Sequence, residues 1–391
     1  MVEFVRRYFE TRYVMLSRSS LENLVKISQH QIFSPALKTL EICIDHLTER
    51  PNLNRVTRYW GNWIRALQQG SWNAQDENCL SDQEIEMEHP VLNHQEYNLL
   101  LEEQNFMMES GLNTAYITQA LSSFSNVETV IVNNANRPWG ATTQKRLTGL
   151  FPTNDMDDYD SIEFVKRALL VTFAAIVASK VSLRELDIVA GCNDEAISPD
   201  MLIFPKPYLQ YFQSLPTSLT SLSLAVSPGR RMGQNDRWAS DLMGFMNIFP
   251  HIQRLELGFD PRDEHKRFSH IAQVLRLQNL QDVNINGVDC SAEDLVVFLL
   301  DHKNTLKEVT LSCIGIPGGR ECWQSLLRTV RDKLFLKVLT LDYCQSGALD
   351  VFYRDGDGDN GIQLSNFIQI CEREDWTDII EKIRVGHMKA S

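Results

Sequence analysis

The stretch LQDVNINGVDCSAEDLVVFLLDHKNTLKEVTLS, residues 280–312, decides the fold of this chain. It opens with apolar residues at Leu280, Val283 and Ile285 and closes with a second unit of the same spacing that starts at Leu306. Between the two units, residues 295–302 carry apolar side chains with the periodicity of a helix. The stretch therefore predicts a strand, a helix and a second strand.

The apolar-x-x-apolar-x-apolar unit recurs along the chain. Its clear copies are Leu183-Leu186-Ile188, Leu219-Leu222-Leu224, Ile252-Leu255-Leu257, Leu280-Val283-Ile285, Leu306-Val309-Leu311 and Leu336-Leu339-Leu341. The first residues of these copies are 36, 33, 28, 26 and 30 residues apart. Two earlier copies, Leu37-Leu40-Ile42 and Val127-Val130-Val132, lie farther apart.

Each clear copy follows a segment with helical periodicity. These segments are Phe164 to Ser179, Tyr208 to Leu215, Leu242 to Phe249, Ile271 to Leu277, Leu295 to His302 and Leu326 to Lys333. Sequential parallel strands require a crossover, and a helix usually supplies it. A period of about 30 residues is typical of one strand and one helix per coil. We therefore predict an α/β fold, an irregular leucine-rich-repeat-like solenoid of alternating helices and parallel strands. It is irregular because only Cys344, among the six clear copies, supplies the Asn or Cys that the consensus repeat has at its ninth position.

Strand alternation predicts where a partner binds. The fourth and sixth residues of each unit should face the helices, whereas the third, fifth and seventh should form an open face of the sheet. These eighteen open positions carry six acids and one base. The partner-binding residues that we predict from them are Glu185, Asp187, Arg254, Glu256, Asp282, Asn284, Glu308 and Asp342. Such a face favours a basic protein partner.

The net charge of −13 is unevenly distributed. From Ala66 to Asn136 there is no Lys or Arg but eleven acids, whereas the rest of the chain has 38 bases and 40 acids. An acidic chain without a basic patch argues against a nucleic-acid partner. The polar stretch Gln69 to Pro90 predicts a solvated insertion, and two helices should follow from Tyr97. The predicted organisation is residues 1–68 as a helical segment with the first strand unit, 69–96 as an acidic, disordered insertion, and 97–391 as the solenoid with a C-terminal cap.

Several features predict an intracellular protein. The eight cysteines are scattered without a C-x-x-C pair or zinc spacing, which is typical of reduced thiols. The first residues do not resemble a signal peptide. The longest apolar run, Ala168 to Ser179, is too short to span a bilayer. We therefore expect a cytoplasmic or nuclear location and no membrane partner.

The run Arg354 to Ile362 is the sharpest local motif, and it allows three interpretations. Asp355, Asp357 and Asp359 have the spacing of an EF-hand calcium loop, but Asn360 replaces its glycine and Asn366 its chelating glutamate. The run also contains G-x-G-x-x-G, although two aspartates would lie beside a bound pyrophosphate. A flexible acidic turn is favoured.

Catalytic and metal signatures are missing from the rest of the sequence. His265 and His270 lack H-E-x-x-H spacing, as do His89 and His94, and there is neither a G-x-S-x-G elbow nor a Walker loop. We therefore predict a non-enzymatic protein without a cofactor or a metal site.

The opening segment resembles a known family. Arg6-Arg7-Tyr8-Phe9, Ser20-Leu21-Glu22-Asn23-Leu24-Val25 and the run Phe33 to Ile42 are similar to the stretch after the F-box in ascomycete F-box and leucine-rich-repeat-like proteins. The similarity continues through Glu103-Gln104 and Ser110-Gly111 to Asp375-Trp376. It implies the substrate-receptor part of a ubiquitin-ligase component. The F-box that would dock onto the ligase adaptor would precede Met1, so an adaptor is expected as a partner only if an F-box exists upstream. The alternative is a non-catalytic protein-binding scaffold outside the ubiquitin system.

Overall fold

The computed structural model describes residues 8–49, 92–134, 140–154, 158–189, 196–204, 211, 218–228, 237–259, 267–355, 363–371 and 375–386. The chain divides into two compact units, residues 1–181 and 182–391. Each unit is described by itself below.

Within its described residues, the first unit contains three parallel strands and five α-helices. The strands are β1 (Thr11–Met15), β2 (Thr39–Cys43) and β3 (Thr129–Asn133), paired in that order. The helices are α1 (Arg18–Ser28), α2 (His94–Glu109), α3 (Leu112–Ser123), α4 (Ala141–Thr148) and α5 (Tyr159–Ser179). Helix α3 packs against α1 and α5, and α2 packs against α4. The two helices predicted before the Val127 unit are α2 and α3, and α2 begins at His94 rather than at Tyr97.

The second unit continues the alternation of strand and helix. Its parallel strands are β4 (Glu185–Val189), β5 (Ser221–Val226), β6 (Arg254–Phe259), β7 (Asp282–Asn286), β8 (Glu308–Ser312) and β9 (Val338–Asp342), paired in chain order. The described helices between them are α6 (Trp238–Met246), α7 (Phe268–Val274), α8 (Ala292–Asp301) and α9 (Gly319–Lys333), each packed against the next. The predicted helix Tyr208 to Leu215 lies, except for Tyr211, outside the described residues. The predicted α/β solenoid of alternating helices and parallel strands is confirmed.

The apolar unit places the strands in register. In all six clear copies the fourth and sixth residues are buried, as Leu255 and Leu257 are in β6, so each strand contributes two large apolar side chains to the core. The backbone hydrogen bonds just before the strands repeat as well. The carbonyl of Arg184 accepts hydrogen bonds from the N–H groups of Thr220 and Ser221, and the carbonyl at the second position of each later copy as far as Lys307 accepts the corresponding pair. Each coil is therefore joined to the next at the same point.

The last three coils turn in the same way after the strand. Gly287, Cys313 and Tyr343 each occupy the eighth position of a unit, and each has a positive φ, of 76°, 53° and 47°. The ninth-position thiol of Cys344 is buried and donates to the carbonyl of Leu311 in the preceding coil, at 3.3 Å. Cys344 thus provides a side-chain donor to a backbone carbonyl of the preceding coil.

The chain ends in strands that the sequence did not predict. Strand β13 (Phe367–Ile370) pairs antiparallel with β9. A second, antiparallel sheet consists of β10 (Gln345–Ser346), β11 (Leu349–Asp355), β12 (Gln363–Ser365) and β14 (Ile383–Gly386), and α10 (Asp375–Lys382) packs against α9. These five strands pair antiparallel, whereas the repeated strands β4 to β9 are parallel.

Candidate functional site

The candidate site is the open face of the second unit. We define it as the third, fifth and seventh residues of the six repeat units that contain the strands β4 to β9. The strand register aligns these positions in three rows across the sheet. The first row is Glu185, Ser221, Arg254, Asp282, Glu308 and Val338; the second is Asp187, Ser223, Glu256, Asn284, Thr310 and Thr340; the third contains Ala225, Gly258, Asn286, Ser312 and Asp342. Adjacent strands lie about 4.8 Å apart, so neighbours in a row lie within reach of one partner.

Most side chains of the open face are half-buried or exposed; Thr340 alone among these eighteen residues is buried. In the first unit the seventh positions of the strands are buried, whereas most third and fifth positions are half-buried, as they are in the second unit. Met15 and Cys43, at the carboxyl ends of β1 and β2, are buried in a cluster with Tyr97 of α2 and Ala141 of α4. A partner would therefore find accessible sheet side chains on the second unit rather than at these positions of the first.

The single base of the open face is already paired. Arg254 Nε lies 2.8 Å from Asp282 Oδ2 on the neighbouring strand, and the pair is partly exposed. Exposed ion pairs contribute little stability, but this one neutralises Asp282. Since the open positions carry six acids, the face keeps a net excess of five negative charges.

Two acids of the open face, Asp187 and Glu256, have raised pKa values. Burial, followed by repulsion from Glu185 and Glu256, raises the pKa of Asp187 to about 7. The pKa of Glu256 is also raised, by burial first and by Asp282 second, and Arg254 opposes the shift. Asp187 is therefore partly buried by its neighbours on the open face. A cation placed over this group would relieve the repulsion.

The centre of the open face contains an unsatisfied acceptor. Asn284, opposite Glu256 in the register, has a buried Oδ1 without a hydrogen-bond partner among the described residues. A buried acceptor without a donor is costly. This oxygen lies beneath the accessible surface, so a partner that docks on the face would reach it only after the Asn284 side chain rotates.

Sequence reasoning missed one edge of the face. Phe367 and Gln369 of β13 lie opposite Asp342 and Thr340 of β9, so they extend the open face by one strand. Their segment has an apolar residue at every second position, Ile368 and Ile370 being buried. That short alternation was the available signal, but the strand lacks the preceding helix by which the other units were recognised.

The other sequence motifs find less support in the structure. Residues 356–362 of the acidic glycine motif and the stretch Gln69 to Pro90 lie outside the described residues, as do His89 and His265. The motif connects the antiparallel strands β11 and β12. An EF-hand loop instead connects two helices, and the dinucleotide fingerprint lies at the start of a helix. The six cysteines of the described ranges are free thiols. Within those ranges, no cluster of three His, Cys, Asp or Glu side chains is suited to a metal ion, and no helix has the length and hydropathy of a membrane span.

Comparison with known proteins identifies a distant structural neighbour. No family model and no curated protein matches the chain. Among solved structures, the crystal structure of the leucine-rich repeat-containing protein LegL7 from Legionella pneumophila is similar, with 11% sequence identity and a TM-score of 0.35. The match covers 84% of this chain and 90% of that chain.

Proposed function

We propose that this chain is a protein-recognition module and that the open face of its second unit binds a basic segment of another protein. The observation that carries the proposal is the alignment of the acids by the strand register. Asp187 and Glu256 lie in the same row, on either side of Ser223 in β5. The one base of the face, Arg254, is paired to Asp282. Complementary charge across an interface raises the association rate and selects the partner.

A paired charge-reversal experiment tests the proposal. One variant replaces Glu185, Asp187, Glu256 and Asp282 with lysine. A matched control replaces Glu102, Glu109, Glu293 and Glu381, which are exposed acids on helices, so both variants change the net charge equally. Proteins captured from a lysate at about 50 mM and about 300 mM salt are then compared by mass spectrometry.

The proposal expects a partner that the parent and the helix control capture, that the face variant loses, and whose capture weakens with salt. Both variants should fold, which circular dichroism checks. If every partner binds the face variant as it binds the parent, or if both variants lose it equally, the open face is a soluble surface only.

The resemblance of the opening segment supports a finer proposal: the chain is the substrate-receptor part of an F-box-type ubiquitin-ligase component that works in the cytoplasm or the nucleus. The coding sequence upstream of Met1 tests it. A reading frame for a helical segment that begins with Leu-Pro, together with copurification of a ligase adaptor, would support the receptor role. A chain that captures its basic partner but never the adaptor, even with the upstream segment restored, would be a scaffold outside the ubiquitin system.

A further inference from the structure

The open face ends in aromatic side chains at β13. Phe367 lies directly opposite Asp342 in the antiparallel pairing, and opposite residues of such a pair project from the same face of the sheet. Phe367 is 51% exposed, and Tyr343, the residue after Asp342, is 48% exposed. We name Tyr343 and Phe367 the aromatic rim.

Local hydrogen bonds fix the backbone of the aromatic rim. The hydroxyl of Ser365 accepts from the N–H of Phe367 at 3.2 Å and donates to its carbonyl at 2.7 Å. The N–H of Tyr343 donates to the carbonyl of Asn366 at 3.2 Å. The backbone segments that carry the two exposed aromatics are therefore hydrogen-bonded to each other, and ordering them in a complex costs little entropy.

Asp342 determines which group the aromatic rim suits. A large apolar side chain packed on Phe367 would remove the carboxylate of Asp342 from water without giving it a donor, which is unfavourable. A guanidinium group stacks on an aromatic face and donates to a carboxylate from its edge. The combination of Phe367, Tyr343 and Asp342 therefore suits arginine better than lysine or an apolar residue.

The strand order sets the distance from the aromatic rim to the acids. Glu256 on β6 is four strands from β13, and Asp187 on β4 is six strands away. At about 4.8 Å per strand these separations are roughly 19 and 29 Å. An extended segment that crosses the strands covers them in about six to nine residues at roughly 3.3 Å each.

We propose that the open face binds an extended segment with two basic residues about six to nine positions apart, the first over Asp187 and Glu256 and the second an arginine stacked on the aromatic rim beside Asp342. This inference rests on the proposed function and adds the second anchor and its spacing.

The test is a selection from a displayed library of random segments of about 16 residues, long enough to span the face. The immobilised parent should enrich sequences with two basic residues at the stated spacing. In synthetic versions of the best sequence, each basic residue is then replaced in turn, arginine by lysine and lysine by arginine. Exchange of the rim arginine for lysine should weaken binding about tenfold, and exchange at the acidic end should change it little.

Variants of the protein locate the second anchor. Phe367→Ser should weaken the selected peptide about tenfold and abolish its preference for arginine, while Phe367→Tyr should restore both. Phe335→Ser is the matched control, because Phe335 is 78% exposed and lies before β9, off the open face. Asp342→Asn keeps the shape of the side chain but removes its charge, so it should also weaken binding of the arginine beside the aromatic rim.

The outcomes separate the two proposals. Enriched peptides with one basic residue, or peptides that bind Phe367→Ser and Phe335→Ser alike, would overturn the second anchor and leave the basic-partner function standing. A library without enriched basic peptides, or peptides that bind the lysine-substituted face as tightly as the parent, would overturn both.

Discussion

The eighth position of the repeat depends on glycine in one coil. Gly287 has φ 76°, and a Cβ there would lie 2.7 Å from the carbonyl oxygen of Phe259 in the preceding coil. Gly287→Ala should therefore lower the free energy of unfolding by about 2 to 4 kcal/mol, from left-handed strain and from the displaced carbonyl. Gly347 has φ 64° with open space around its Cβ position, so Gly347→Ala should cost only about 1 kcal/mol. Urea denaturation measures both; equal losses would contradict the tight contact between coils.

The raised pKa of Asp187 predicts that partner binding depends on pH. With a pKa of about 7, this carboxyl is mostly ionised at higher pH and mostly protonated about one unit below. A basic partner stabilises the ionised form, so the affinity of a basic peptide without histidine should fall several-fold as the pH is lowered from about 8 to about 6. Asp187→Asn should bind more weakly with a flatter pH profile. Calorimetric titration measures both, and the same pH dependence in the two proteins would assign it to another group.

Arg12 explains why one coil escaped detection. The register places Arg12 of β1 opposite Leu40 of β2, at the fourth position, where every recognised copy has an apolar residue. Arg12 is half-buried and lies 4.8 Å from the ring of Phe9, which stacks on Phe33. Burial lowers the pKa of Arg12. The aliphatic stem and the stacked guanidinium of Arg12 thus take the place of the expected leucine. A search for apolar residues at fixed positions therefore does not detect this coil.

At the scale of an element, Leu255 tests the assignment of faces along a strand. Leu255 is fully buried in β6, and its neighbours in register, Leu222 and Val283, are buried too. Leu255→Asp should cost several kcal/mol, because it removes a packed side chain and buries a charge. Asn286→Asp, at an exposed position of β7, should change stability by less than about 0.5 kcal/mol. Similar melting temperatures for the two variants would contradict the alternation.

One helix holds the described residues that precede the gap at residues 50–91. The side chain of Gln104 exchanges two hydrogen bonds of 2.9 Å with the backbone of Leu47, and the hydroxyl of Tyr97 bonds to the N–H and carbonyl of Thr48. Both side chains belong to α2, which starts at His94, so the ends of the connection are held together.

Deletion of Gln69 to Pro90 should therefore change the free energy of unfolding by no more than about 1 kcal/mol, since halving a closed loop alters its entropy by about 0.6 kcal/mol. Gln104→Ala removes the buried bonds at the closure and should cost about 2 to 3 kcal/mol. Thermal denaturation compares the two. A deletion that destabilises as strongly as Gln104→Ala would mean that the deleted residues contribute to the core.

The strands and helices that follow the periodic pattern were predictable from the sequence, whereas the closing strands were not. An interior coil needs apolar residues at fixed positions, because its strand pairs with a neighbour on each edge and buries one face against the helices. The terminal strands β10 to β14 close the end of the stack by antiparallel pairing, which needs only short alternating runs, such as Phe367 to Ile370. Short runs of this kind occur by chance. The second anchor at Phe367 was hidden for the same reason.

At the scale of the molecule, the two units use the same coil differently. In the first unit, α2 and α4 provide buried partners for the seventh-position side chains Met15 and Cys43. In the second unit the corresponding row stays accessible, from Ala225 to Asp342. The sequence predicted the open face by alternation, but the burial of Met15 and Cys43 in the first unit depends on helices that follow a long insertion, which no periodicity reveals.

Carboxylate footprinting in the presence of the basic partner tests the central claim most directly. Carbodiimide coupling labels accessible carboxylates, and mass spectrometry then quantifies the label at each residue. The account predicts that the partner protects Glu185, Asp187, Glu256 and Glu308 of the open face, while the helix acids Glu102, Glu109, Glu293 and Glu381 are labelled equally with and without it. Protection of the helix acids with unchanged labelling of the open face would contradict it.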